Sequence, residues 1–226
     1  MGIQKKIKEI NKLLESIAIE ANRKPEEITL LAVSKKQSIQ KIFDAYDAGQ
    51  RDFGENFVQE GLSKIKEMRE LDITWHFIGH LQNNKTKVVA EHFDWIHTVD
   101  NLKTMQRLND QRPKSLRPLN VCLQIKIDNE TSKFGMDASQ IPEFISFCSK
   151  LKRISLRGLM CLPAFRTEFD EQRKPFKTLK KLADKSRENG FNIDTLSMGM
   201  SGDYRAAIFE GSTIVRLGTT IFGERQ

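Results

Sequence analysis

Cysteine is scarce in this 226-residue chain, and so are tryptophan, tyrosine and proline, with three, two, two and six residues respectively. The cysteines, Cys122, Cys148 and Cys161, are odd in number, far apart and set in apolar segments without a C-x-x-C pair. They read as buried reduced thiols, neither a disulfide framework nor a metal site. His76, His80, His92 and His97 form no H-E-x-x-H pattern, so no zinc centre is expected from them. No apolar run approaches the roughly 20 residues that cross a bilayer. The N-terminal "MGIQKKIKEINKLLESIAIE" spaces its charges along a helix and leaves no signal-peptide core. A soluble, cytoplasmic protein without a membrane partner is the expectation. Neither G-x-G-x-x-G nor G-x-x-x-x-G-K-[ST] follows a strand candidate, which removes the commonest nucleotide loops. Nor does a linker rich in Pro, Gly or Ser divide the chain, so residues 1–226 are read as one domain.

Positive charge is in excess, with 37 Lys and Arg against 30 Asp and Glu and a net charge of +7. The basic residues gather at the N-terminus, in "KLKR" (150–153) and in "RKPFKTLKKLADKSR" (173–187), interleaved with acidic residues at helix-surface spacing. Solvated helix faces account for them, and nucleic acid is not expected as a partner.

Ile3, Ile7, Ile10, Leu14, Ile17 and Ala21 recur at spacings of four and three, which is the apolar stripe of a leading helix. "ITLLAVSK" then reads as a strand buried on both faces. Seven further strand candidates follow, each separated from the next by a helical stretch: 51–56, 74–80, 94–100, 119–127, 154–163, 195–200 and 214–223. Parallel neighbours need a crossover between them, and eight is the number that closes a TIM barrel. The fold expected is therefore α/β, a (β/α)8 TIM barrel with an additional N-terminal helix.

Ligands of such barrels sit at the C-terminal strand ends. "GMSGDYRAA" after strand seven and "RLGTT" after strand eight supply glycines, hydroxyls and helix starts, the parts of a phosphate cradle. Strand one ends in adjacent lysines. Side-chain alternation puts Lys35 on the face of Leu31 and Val33, and Lys36 on that of Leu30, Ala32 and Ser34. If Leu31 and Val33 fill the barrel, Lys35 points into its mouth. A lysine able to form a Schiff base, set opposite a phosphate cradle, suggests pyridoxal 5′-phosphate as the cofactor.

"PEEITLLAVSK", "DAGQRDFGENFVQE", "WHFIGHLQNNK", "FDWIHTVD", "RGLMCLPA", "LSMGMSGDYRAAI" and "STIVRLGTTIFG" occur in order and span almost the whole chain. In these blocks the sequence resembles the pyridoxal phosphate homeostasis proteins, whose barrel is like the N-terminal domain of alanine racemase. The resemblance implies an internal aldimine on the "AVSK" lysine, here Lys35. It implies Arg216 near the pyridine nitrogen, and Ser201 with the backbone of Gly218 and Thr219 at the phosphate. Asn56, in "GEN", would lie beside the cofactor ring. His76 belongs to a matched block, with packing or a structural hydrogen bond as open to it as a cofactor contact. One departure concerns the second lysine. Many members read "SKTK" where this chain reads "SKKQ", so Lys36, on the other strand face, does not simply inherit that lysine's role. Lys133, in "TSKFGM", corresponds to a further lysine of the family pattern.

A racemase would need a proton-transfer group on each face of the substrate. Alanine racemase takes its second from a separate domain, whereas this sequence stops just past strand eight. Tyr46 is expected on an outer helix and Tyr204 near the phosphate end. The expectation is a non-catalytic, monomeric carrier acting in vitamin B6 homeostasis. Its partners would be pyridoxal phosphate, other B6 vitamers and the apoenzymes that receive the cofactor. A single-domain amino-acid racemase is the alternative, and a basic RNA-binding scaffold a third reading.

Overall fold

The computed structural model describes residues 2–128 and 134–223. Lys133, singled out above, lies outside the described residues. The leading helix α1 (Ile3–Glu20) buries the expected stripe, with Ile7, Ile10, Leu14 and Ile17 all inside. Eight strands then close a barrel in chain order, every neighbouring pair parallel. They are β1 (Thr29–Val33), β2 (Asp52–Glu55), β3 (Thr74–Phe77), β4 (Trp95–Val99), β5 (Leu119–Gln124), β6 (Ile154–Met160), β7 (Thr195–Met200) and β8 (Ile214–Leu217). The connecting helices are α2 (Ile39–Asp47), α3 (Val58–Glu67), α4 (Thr86–His92), α5 (Leu102–Gln111), α6 (Ile141–Cys148), α7 (Phe169–Glu188) and α8 (Tyr204–Phe209). A short α9 (Thr219–Phe222) follows β8.

Local chemistry starts and stops these elements where side chains allow it. Ser38 and Asn101 cap α2 and α5 by accepting from the Lys41 and Thr104 N–H groups. After α2 the chain turns through Gly49, whose φ of 98° is open chiefly to glycine.

Alternation sorts the strand side chains into two layers. Leu30, Ala32, Leu196, Met198, Val215 and Leu217 join the apolar layer between sheet and helices. Leu31 turns inward, near enough to Gly54 that a Cβ there would meet its side chain at 3.4 Å. His97 of β4 and Ser197 of β7 bond to each other across the barrel. The three cysteines are buried free thiols, each with its pKa pushed up to about 12 by burial.

Four strands stop three or more residues short of the sequence pattern, with 74–80 ending at Phe77. The segment 214–223 breaks after Leu217 because the chain turns at Gly218 into α9. Strand candidates 119–127 and 154–163 stop at Gln124 and Met160. Apolar residues continue past these strand ends because the chain still packs on the core and bonds the neighbouring strand: Ile125 and Cys161 are both buried, and their N–H groups donate to Met160 O and Ser197 O.

Candidate functional site

At the C-terminal mouth of the barrel lies a cavity of about 340 Å³, lined by Val33, Lys35, Asn56, Ile78, Leu162, Met200, Ser201, Gly202, Arg216, Gly218 and Thr219. All six residues proposed from the sequence, Lys35, Asn56, Ser201, Arg216, Gly218 and Thr219, border this one space. They arrive from the ends of β1, β2, β7 and β8.

Lys35 reaches the cavity by a route that alternation alone does not give. β1 ends at Val33, so the pleat stops before either lysine. Lys36 adopts a left-handed φ of 59° and is exposed, outside the lining, while Lys35 stays half-buried at the mouth. A buried ionic cluster pins this turn. Lys64 of α3 donates to Ser34 O at 2.8 Å, to Glu55 Oε1 at 2.8 Å and to Glu60 Oε1 at 2.6 Å. Ser34 Oγ donates to the same Glu55 oxygen, and the Lys36 N–H donates to Glu60 Oε1. Burial pushes the Glu55 carboxyl up, with Lys64 acting against that shift.

Opposite Lys35, Arg216 is buried and donates from Nη1 to Ser197 Oγ at 2.7 Å and from Nη2 to Cys161 O at 3.0 Å. Burial lowers its pKa from the usual arginine range. The hydroxyls of Thr219 and Thr220 point to Ser201 Oγ at 3.4 and 3.0 Å. As first residues of α9, both threonines carry N–H groups with no partner inside the helix. Asn56 Oδ1 is buried without a hydrogen-bond partner, an unmet acceptor beside the cavity. Lysine, arginine, hydroxyls and helix-start amides around an apolar floor of Val33, Ile78, Leu162 and Met200 suit an anionic ligand with a flat ring.

The chain matches the alanine racemase N-terminal domain family over residues 12–226. It is 50% identical over 215 residues to the pyridoxal phosphate homeostasis protein of Escherichia coli (strain K12), covering 94% of this chain and 92% of that one. The protein of the same name from Vibrio alginolyticus is 47% identical over 228 residues, covering 99% and 98%. The chain belongs to the pyridoxal phosphate homeostasis protein family. PipY of Synechococcus elongatus, solved with PLP bound, superposes with a TM-score of 0.82 at 36% identity, covering 93% of this chain and 99% of that chain. Alanine racemase of Clostridium difficile shares the fold, with a TM-score of 0.72 at 17% identity over 95% of this chain and 56% of that one.

Sequence reading missed several residues at this family's mouth. Ile78 and Leu162 line the cavity from just past β3 and β6, where the apolar runs read as a continuation of the strands. Thr220 directly follows Thr219 in "RLGTT", and only its bond to Ser201 Oγ marks it. Alternation along β4 turns His97 inward, but nothing local identifies Ser197 as its partner. His76 does not line this cavity and bonds His97 and Asp52, a structural role. Tyr46 lies on α2 with the Arg51 guanidinium 3.9 Å from its ring centroid, and Tyr204 starts α8. Neither lines the cavity.

Proposed function

We propose that this protein binds pyridoxal 5′-phosphate in the mouth cavity and works in intracellular vitamin B6 homeostasis, storing or handing on the cofactor without turning over a substrate. Lys35 would supply the amine that takes up the cofactor's aldehyde, with loss of water. Arg216 would stand toward the pyridine nitrogen, Ser201 and the backbone of Gly218 and Thr219 would hold the phosphate, and Asn56 would stand beside the ring. The observation that carries this reading is the convergence of these six residues, from four strand ends, on one cavity with cationic walls. PipY with PLP bound and the relatives' name support the choice of ligand.

When bound, pyridoxal phosphate supplies an electron-withdrawing ring conjugated to the imine. A cationic guanidinium at the ring nitrogen disfavours protonating it and so weakens that withdrawal. Racemisation also needs a proton donor and acceptor on opposite faces of the substrate. Among the described lining residues, Lys35 is the side chain suited to that work, and no histidine, tyrosine or carboxylate joins it. A carrier therefore fits the cavity better than a racemase. Other B6 vitamers carrying a phosphate, and apoenzymes that accept the cofactor, are the partners this role requires. We place the protein in the cytoplasm as a monomer. Among the described residues no helix is long and apolar enough to cross a membrane.

A visible-absorbance titration tests the reading. Pyridoxal phosphate added to the wild-type protein should give a saturable band that Lys35→Ala abolishes, and amino acids should not be racemised. A protein that stays colourless would refute cofactor binding. Stereospecific turnover lost in Lys35→Ala would refute the carrier role.

A further inference from the structure

Beneath Arg216 a line of hydrogen bonds runs through the barrel interior to the opposite end. Ser197 Oγ, which accepts from Arg216, lies 2.8 Å from His97 Nδ1. His97 Nε2 lies 3.0 Å from His76 Nδ1, and His76 Nε2 lies 3.0 Å from Asp52 Oδ1. Strands β8, β7, β4, β3 and β2 each contribute one member. Arg216, Ser197, His97 and His76 are at most 5% exposed, whereas Asp52, at the first residue of β2, is 30% exposed at its side chain. The line therefore joins the cavity wall to solvent at the far mouth of the barrel.

With both rings neutral, its two ends fix its direction. A guanidinium only donates and a carboxylate only accepts. Facing Asp52, a neutral His76 must carry its proton on Nε2, which leaves Nδ1 as an acceptor. His97 must then donate from Nε2 and accept on Nδ1, so the Ser197 hydroxyl donates to His97 while accepting from Arg216. Every donor points away from the cavity and every acceptor toward it. Burial, then the neighbouring His76 and Arg216, hold the His97 pKa well below the ordinary histidine value, which keeps that ring neutral. The His76 ring stacks on Trp95, with centroids 5.4 Å apart and planes 9° from parallel, which sets its orientation. Trp95 is flanked in turn by Arg157, which pairs with Asp194. The buried Cys122 thiol, its pKa pushed up to about 12, adds no charge.

Arg216 needs such a partner. Among the described residues no carboxylate touches its guanidinium, and Asp203 acts on it only through space. A buried cation without hydrogen-bonded compensation is strongly unfavourable. The aligned dipoles present their negative ends to Arg216 and terminate on an anion.

We propose that His97 and His76 are positioning residues: with Ser197 and Asp52 they form a one-way hydrogen-bond relay that holds the Arg216 guanidinium in place for the ring of the bound cofactor. The relay stands on this chain's own geometry. Its effect on ligand binding rests on the cavity being the pyridoxal phosphate site.

The two parts separate experimentally. Long-range 1H–15N correlation spectra of the cofactor-free protein near pH 7.5 report histidine tautomers directly. Both His76 and His97 should carry the proton on Nε2, and an Nδ1–H tautomer at either ring would overturn the relay. In pyridoxal phosphate titrations, Ser197→Ala and His97→Phe should each weaken binding roughly tenfold, as expected for losing a charged-group hydrogen bond. Both should also shift the wavelength of the bound-cofactor band, and His97→Gln, which keeps a donor and an acceptor, should restore band and affinity in part. Wild-type affinity and an unshifted band in a folded Ser197→Ala protein would overturn the positioning role. If the wild-type protein binds no pyridoxal phosphate, the cavity assignment fails while the tautomer result still decides the relay.

Discussion

Two adjacent lysines have unlike positions, and the difference lies in backbone geometry. Lys36 takes the left-handed conformation and turns to solvent, while Lys35 faces the cavity. Lys36→Ala should therefore keep the pyridoxal phosphate absorbance band with an affinity within about threefold of wild type, since it removes only a nearby charge. Lys36→Gly should also raise stability slightly, by relieving positive φ in a side-chain-bearing residue. Thermal melting of the two variants side by side would check this. At this scale the sequence is most legible at the strand ends, since Lys35, Asn56, Ser201, Arg216, Gly218 and Thr219 all border the same cavity. It is least legible for polar side chains whose partners lie on distant strands. No local pattern tells that Ser197 meets His97 across a separation of 100 residues, or that Lys64 on a charged helix turns under β1.

The eight strands and the helices between them are readable because each strand carries an apolar run and each helix a stripe, whereas the short α9 hides inside the last apolar run. Where each strand stops is not readable, since apolar residues continue past its end and pack on the core. Close backbone approach is equally silent in the sequence. A Cβ on Gly158 would lie 1.8 Å from Thr195 O, the neighbouring strand's backbone. Gly158→Ala should therefore push β6 from β7 and destabilise the protein by about 3 kcal/mol. Gly202→Ala, whose Cβ meets nothing within 4 Å, should change stability little, and urea midpoints would compare them. The cluster joining β1, β2 and α3 gives another test. Lys64→Met leaves Glu55 buried and unpaired, with an expected loss of about 3–5 kcal/mol near pH 8. Because burial already raises the Glu55 pKa, the lone carboxyl takes up a proton readily, and the loss should be smaller at pH 5. Equal losses at both pH values would contradict this.

For the molecule as a whole, alternation of strand and helix predicts the barrel, and closure follows from the number eight. What alternation of strand and helix does not reveal is that the interior is polar at its centre, with a buried histidine pair where apolar filling is usual. That interior has a consequence for stability. His97 is neutral when folded, because burial holds its pKa well below 6.5, but it gains a proton in the unfolded chain. The unfolded state then binds more protons below about pH 6.5, so stability falls as pH drops through that value, by about 1.4 kcal/mol per pH unit at most. Asp128 acts lower in the range. Its hydrogen bond from Arg166 holds its pKa below the usual carboxylate value, so its stabilisation is present above the unfolded pKa and is lost as pH falls through the folded one. Denaturation at a series of pH values should show both regions, with His97→Phe removing the upper one alone.

The proposed carriage of the cofactor on Lys35 at the barrel mouth can be measured directly. Purified protein is incubated with pyridoxal phosphate, reduced with borohydride, digested and mapped by mass spectrometry. The phosphopyridoxyl mass should fall on the peptide containing Lys35, with fragmentation assigning it to that residue and not to Lys36. A label centred on any other lysine, or no label at all, would contradict the account.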